Sequence, residues 1–168
     1  MSGHLQDEIS QARPFESLEI EAFLNVMRTA DLLQQQVDQV LKTSDLSFTQ
    51  YNVLRILRGA LPDGLPCSKI GARMVTHDPD ITRLLDRMEQ RHLVARERSR
   101  EDRRVVVVTI TKPGIEALEL MAEPVKEAHR RQFQCLGAER LRLLIDLLES
   151  IRAAGHSEQA GFSGLSGV

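Results

Sequence analysis

From residue 17 to residue 43, apolar side chains return every three or four positions: Leu18, Phe23, Met27, Ala30, Leu33, Val37 and Val40, with Leu24 and Leu41 widening the stripe. That period predicts one long amphipathic helix. Ser47-Phe48-Thr49 offers a cap for a shorter helix carrying Val53, Leu54 and Leu57 and ending near Gly59, and Leu61-Pro62-Asp63-Gly64 reads as a turn. Two short helical segments are expected next, over 65–74 and 78–90. The period then changes from 3.6 to 2. Val105 to Ile110 is β-branched throughout, with Thr109 as its polar member, so it predicts a strand. Val94 to Arg98 is the natural partner, leaving Ser99 to Arg104 as the connecting loop. Thr111 can cap a further helix that tolerates Pro113 in its first turn and carries Ile115, Leu118, Met121 and Val125 towards Phe133, with a kink expected at Pro124. Gly137 interrupts the pattern, and a last helix over 138–153 places Leu141, Leu144, Ile145, Leu148 and Ile151 on one side. Residues 1–16 read as a flexible N-terminus and 154–168, rich in glycine and serine, as a disordered tail. The expected fold is mainly α with one small β-hairpin.

The segment 78–90 divides cleanly by angle, at about 100° per residue. Ile81, Leu84, Leu85 and Met88 share one sector and must face a core; Thr82, Arg83, Asp86 and Gln90 point the other way, with Arg87 at the margin. Asp78 is a natural N-cap and Pro79 a natural first helical residue. The outward face thus offers a hydroxyl, a guanidinium, a carboxylate and an amide, the groups that read base edges and hold phosphates. A solvated helix face would look similar in isolation. The following hairpin tips the balance, because three of its six loop residues are arginine: Arg100, Arg103 and Arg104. A guanidinium on a narrow tip can enter a minor groove, with Asp102 placed to pair with Arg104 and hold it extended. Two helices across a tight turn, followed by a charged hairpin, suit a body that lays one helix in a DNA groove.

Composition changes this picture little. The chain of 168 residues is 42% hydrophobic and 27% charged with a net charge of −2, so one ordinary globular domain is expected. Charge is uneven along it: residues 1–50 hold eight acids against three basic residues, and residues 80–104 hold eight arginines against six acids. A locally basic middle would turn one surface towards phosphate. Eighteen of the 22 basic residues are arginine, a bias that an arginine-rich proteome would also produce. Cys67 and Cys135 have no metal-ligand or redox spacing. The first ten residues lack a cationic segment followed by an apolar run, and no apolar stretch approaches the roughly 20 residues that span a bilayer. A cytoplasmic protein without membrane contact is expected. The five histidines are scattered, and neither a phosphate-cradling Gly-x-x-x-x-Gly-Lys loop nor a Gly-x-Ser-x-Gly elbow is present, so no enzyme and no cofactor are expected.

The terminal stripes carry more apolar surface than a small central domain covers. Pairing with a second copy of the chain is expected, the alternative being that they pack on each other within one subunit. Two-fold symmetry would bring two reading helices to successive major grooves about 34–36 Å apart.

At these residues a family is recognisable. Residues 65–111 resemble the winged helix-turn-helix of the MarR family of bacterial transcription regulators. Thr82-Arg83-Leu84-Leu85-Asp86-Arg87-Met88-Glu89, then Leu93-Val94-Ala95-Arg96, is similar to that family's recognition-helix pattern. Asp102-Arg103-Arg104 followed by Thr109-Ile110-Thr111-Lys112-Pro113-Gly114 resembles its wing and the entry into the next helix. Thr49-Gln50-Tyr51-Asn52-Val53-Leu54 is similar to the helix that supports the reading unit, and the likeness extends over 17–153. The resemblance implies a winged helix-turn-helix over about 47–111 and dimerisation helices over about 17–44 and 112–153. It implies a homodimer that represses promoters at near-palindromic operators in double-stranded DNA, released by a small aromatic or phenolic effector. Thr82, Arg83 and Arg87, with Asp86 and Gln90 on the same face, would meet the major groove. Arg104, beside Arg103 and oriented by Asp102, would enter the minor groove, and Lys69 and Arg73 would touch the backbone. Three positions depart from the pattern. His92 stands where glycine is usual, at a site expected to need a left-handed backbone; Pro66 replaces a capping hydroxyl residue; and Gly71 replaces alanine, in return for closer approach to a neighbour. Two other readings stay open: a thiol or peroxide sensor using Cys67 near a helix start, and a winged helix that binds protein instead of DNA.

Overall fold

The computed structural model describes residues 4–76, 80–99 and 102–163. The chain forms two compact units, 1–128 and 129–168. In the first, α1 (His4–Glu8) precedes α2 (Leu18–Leu41), a 3-10 turn (Lys42–Ser44), α3 (Phe48–Arg58), β1 (Leu65–Pro66), α4 (Cys67–Arg73), α5 (Ile81–Gln90), β2 (Val94–Arg98), β3 (Val106–Ile110) and most of α6 (Lys112–Phe133). The second unit carries α7 (Gly137–Ser163).

Each helix start has a local chemical cause. Ser17 accepts the backbone N–H of Ile20 at the head of α2, and its hydroxyl, with the Glu19 backbone N–H, holds the Glu19 carboxyl below the usual carboxylate range. Ser47 and Gln50 form a reciprocal capping box at α3, each side chain taking the other's backbone N–H. Thr111 heads α6: its hydroxyl accepts the Gly114 N–H at 3.2 Å and donates to the carbonyl of His92 at 2.5 Å. The entry to α4 has no side-chain cap, as the proline at position 66 implies.

The core lies among α3, α5, the sheet and the inner faces of α2 and α6. Leu54, Leu57, Ile70, Leu85, Met88 and Val108 are fully buried there. The stripes on α3, α5 and α6 are those the periodicity predicts. On α2 only the C-terminal end is covered, by Val37 and Leu41, while Leu18 and Phe23 stay 80% and 62% exposed.

Four features differ from the sequence reading. The hairpin belongs to a three-stranded antiparallel sheet in the order β1-β3-β2. Leu65 pairs with Val108 and Pro66 with Val107, in a stretch expected to be helical. Two paired residues are too short to show a period of two, and Pro66 fits an edge strand because it has no N–H to offer. Gly64 lets the chain reach this edge: at φ +71°, a Cβ there would stand 2.5 Å from the carbonyl oxygen of Val108. Second, residues 4–16 are not simply a flexible lead. α1 is helical and Leu5 is buried against α2, where Glu8 lies 4.0 Å from Arg28. Third, α7 continues to Ser163, ten residues past the expected end of the last helix at Ala153; alanine, glutamate and glutamine around Gly155 favour continuation. Residues 164–168 of the expected tail lie outside the described residues. Fourth, a Cβ at Gly71 would meet nothing within 4 Å among the described residues, so no close approach to them requires glycine there. α6 runs unbroken through Pro124.

Gly114 is the opposite case. A Cβ at this first-turn position would lie 2.1 Å from the backbone oxygen of Leu93, where neither partner can yield. Gly114→Ala is expected to destabilise the fold by about 1–3 kcal/mol, as overpacking does. Gly71→Ala is expected to stabilise it by roughly 0.5–1 kcal/mol. Urea denaturation of both variants checks the opposite signs.

Candidate nucleic-acid interface

α5 is built from its cap outward. Asp80 occupies the N-cap and accepts the Arg83 N–H at 3.3 Å, while its backbone oxygen takes the Leu84 N–H. The cap is therefore Asp80 and not the expected Asp78; Asp78 and Pro79 lie outside the described residues. Leu84, Leu85 and Met88 are buried and Ile81 packs against them. Thr82, Arg83, Arg87 and Gln90 are exposed on the other side, and Asp86 is half-buried. The angular division read from the sequence is the one the fold adopts. Arg83 is 82% exposed, and its Nε lies 3.1 Å from Asp80 Oδ2, so the cap also steers this guanidinium. Asp80, Arg83, Asp86 and Arg87 line a surface recess of about 360 Å³.

Asp86 has a partner that the sequence reading missed. Arg96, on β2, turns its guanidinium back under α5, where Nη1 bonds Asp86 Oδ1 and lies 3.6 Å from Glu89 Oε2. Its Nη2 donates to the carbonyl of Thr82 at 3.1 Å, and its backbone N–H donates to Glu89 Oε1 at 3.2 Å. A signal for this was present. Residues i and i+2 of a strand share a face, so Arg96 shares one with buried Val94 and needs a counter-charge. Asp86 and Glu89, three apart, stack on one side of the helix and supply two. The Arg96 side chain is only 22% exposed, and charge-assisted bonds at such a site are worth about 1.5–3 kcal/mol. A surface pair such as Lys112–Glu116, at 3.9 Å, contributes roughly 0–1 kcal/mol. The Arg96 fork is thus the stronger brace between helix and wing.

The wing follows. β2 and β3 pair from Val94 opposite Ile110 to Arg98 opposite Val106, and Ser99 N–H continues the ladder to Val105 O at 2.9 Å. Asp102 shapes the tip through the main chain. Its Oδ1 accepts the Arg104 backbone N–H at 2.9 Å, its carbonyl accepts the Val105 N–H at 2.9 Å, and its own N–H donates to Ser99 Oγ at 3.4 Å. This is an Asx-type turn. The expected pairing of Asp102 with the Arg104 guanidinium is not found among the described residues; a carboxylate two positions away reaches the nearer backbone donor instead. Arg103 and Arg104 are exposed, and Arg100 lies outside the described residues.

The chain reverses between helix and wing at His92, whose φ of +57° is the left-handed backbone expected there. Lys69 and Arg73 are exposed on α4, and Asn52 Oδ1 of α3 accepts the Val75 N–H beyond α4 at 3.1 Å. Cys67 is half-buried at the first position of α4 and packs against the core; Cys135 is exposed. Among the described residues no cluster of histidine, cysteine and carboxylate side chains could hold a metal ion, and no helix is long and apolar enough to cross a membrane.

Comparison with known proteins points the same way. The MarR family model matches residues 46–106, from the start of α3 to the wing. The chain is 29% identical over 125 residues to the homoprotocatechuate degradative operon repressor of Escherichia coli, covering 74% of this chain and 83% of that protein. It is 31% identical over 117 residues to the HTH-type transcriptional repressor IacR of Pseudomonas putida, covering 70% and 69%. The crystal structure of a MarR transcription factor from Planctomyces limnophilus matches with 42% identity and a TM-score of 0.62, over 80% of this chain and 98% of that one. With its helical frame, three-stranded sheet and arginine-tipped wing, the chain belongs to the MarR family of transcription regulators.

Proposed function

We propose that the protein is a homodimeric, sequence-specific regulator that binds near-palindromic operators in double-stranded DNA and acts as a repressor released by a small molecule. The observation that carries this reading is the outward face of α5. Thr82, Arg83, Arg87 and Gln90 stand exposed on a helix whose other face is locked in the core, next to a wing ending in Arg103 and Arg104. Thr82, Arg83, Arg87 and Gln90 would read the major groove, Arg104 would enter the minor groove beside it, and Lys69 and Arg73 would meet phosphates. Asp86 takes a different part from its neighbours: with its carboxylate on Arg96, it orients the reading face.

Repression is supported by the names of the two relatives, both repressors. One of them is named for the homoprotocatechuate degradative operon, and homoprotocatechuate is a phenol, which supports an effector of aromatic or phenolic type. The half-burial of Cys67 against the core favours a packing role for it over peroxide sensing.

Dimerisation is supported by exposed apolar surface in each unit taken by itself. On α2, Leu18, Ile20, Phe23, Val26, Met27 and Leu32 face solvent; on α7, Leu143, Ile145, Leu147 and Ile151 do. Large contiguous apolar surface of this kind marks an association face.

Three outcomes test the proposal. A gel shift on the DNA upstream of the protein's own gene is expected to show a salt-sensitive complex, and unchanged mobility at low salt from a dimeric protein would favour the protein-binding winged helix. Arg104→Ala is expected to weaken that complex and lower the slope of log K against log salt by about 1. Phe23→Glu is expected to yield a folded monomer by light scattering that binds a full operator about 10²-fold less tightly, since linkage of the two half-sites is lost.

A further inference from the structure

We propose that Arg91 is a positioning residue, which fixes the attitude of α5 by clamping its C-terminal end to the junction of α2 and α3; the inference rests on the regulator reading and adds a residue that sets DNA affinity without touching DNA. Arg91 is the C-cap of α5, its backbone N–H held by the carbonyls of Arg87 and Glu89. Its guanidinium turns away from the outward face of the helix. Nη1 donates to the backbone oxygen of Asp45 at 2.6 Å and to Gln50 Oε1 at 3.3 Å, and Nη2 lies 3.1 Å from Asp45 Oδ2. One planar fork therefore grips the main chain, the carboxylate and the adjoining cap at once, a geometry that a lysine ammonium cannot reproduce.

The backbone it grips is itself tied down by hydrogen bonds. Asp45 is left-handed, at φ +52° and ψ +36°, with its N–H on the Lys42 carbonyl at the end of the 3-10 turn. Leu46, next to it, is buried and bonded to the Leu41 carbonyl. Gln50 is one half of the capping box that starts α3, and Asp38 of α2 accepts the Phe48 N–H at 2.9 Å. Arg91 thus joins α5 to a point where α2 and α3 are already tied together. Asp38, Lys42, Asp45, Ser47, Gln50 and Arg91 line an open surface cleft of about 600 Å³ at this joint.

The consequence follows from where the clamp sits. Arg96 holds the middle of α5 against the wing, and Thr111 holds His92 just beyond its end. Neither refers the helix to α2. Arg91 does, and α2 carries the apolar face through which the proposed dimer forms. The spacing of two reading helices across a dimer would then depend on this fork.

The experiment is a double-mutant cycle with Arg91→Ala and Asp45→Ala. DNA affinity is measured on a duplex of about 30 base pairs, the span of two half-sites and their flanks, selected by the wild-type protein from a random-sequence pool, and on the same duplex scrambled. Arg91→Ala is expected to bind the selected duplex about tenfold less tightly, the factor that loss of one charge-assisted bond carries into an equilibrium, and Asp45→Ala, which removes an exposed carboxylate and leaves the backbone acceptor in place, about two- to fivefold less tightly. The double variant should lose no more than Arg91→Ala alone, binding to scrambled duplex should be unchanged, and Arg91→Lys should recover only part of the loss. Additive losses would overturn the proposal. So would equal losses on both duplexes with a shallower salt slope from Arg91→Ala alone, which would make Arg91 a phosphate contact. A second readout needs no DNA. Amide exchange at residues 87–92 should quicken in both single variants while α6 is unaffected, and unchanged exchange there would also overturn it. If the wild-type protein selects no duplex yet the exchange result holds, the regulator reading fails and the clamp stands.

Discussion

The burial of Leu84, Leu85 and Met88 beneath α5 is the contact on which the exposed chemistry rests. A helix of ten residues is shorter than the roughly 12–15 that make an isolated helix even marginal in water, so α5 exists because its apolar face is held. The same burial fixes its rotation about its own axis. Turning it by one residue, about 100°, would put polar groups into the core and expose leucine to water. Which side chains point outward is therefore decided by what lies underneath, and Thr82, Arg83, Arg87 and Gln90 present together because their neighbours cannot.

Rotation about the axis is only one of the freedoms a reading helix must give up. Tilt against the wing is restrained by Arg96, whose fork engages Asp86, lies near Glu89 and takes the backbone carbonyl of Thr82. Slippage at the C-terminal end is opposed by the Thr111 hydroxyl on the His92 carbonyl and by the contact of Gly114 with the Leu93 backbone. These restraints differ in kind from the exposed pairs along α6, such as Lys126–Glu123, which stay solvated and contribute little. Order in this region comes from a few polar bonds near the core, added to apolar packing that has already chosen the face.

Much of this was legible in the chain because the signals are local and periodic. The stripes of α2, α3, α5 and α6, the β-branched run from Val106 to Ile110, and the left-handed site at His92 each depend on residues within a few positions of one another. What escaped was non-local or too short to have a period. β1 is two residues long and exists only because β3 lies beside it, more than forty positions on. The partner of Asp86 is ten residues away in another element, so a helical wheel shows its carboxylate pointing outward and cannot show Arg96 arriving to meet it. Asp80 caps α5 where the sequence suggested Asp78, because two aspartates within three residues are equivalent to a sequence rule; Asp78 itself lies outside the described residues. In the sequence Arg91 is one more charge in a basic stretch, and only the fold sets Asp45 and Gln50 against it.

The turn at Asp102 has a further bearing on how the wing would behave. With its carboxylate engaged on the main chain, Asp102 does not quench the guanidinium two residues later. The result is a turn tied by its own main chain that carries two exposed guanidinium forks, Arg103 and Arg104. A tip tied by its own main chain would set the depth of reach, whereas exposed long side chains would adjust to furrows of unequal width. Such a fingertip would accept duplexes of varied local shape, leaving discrimination between one sequence and another to the helix.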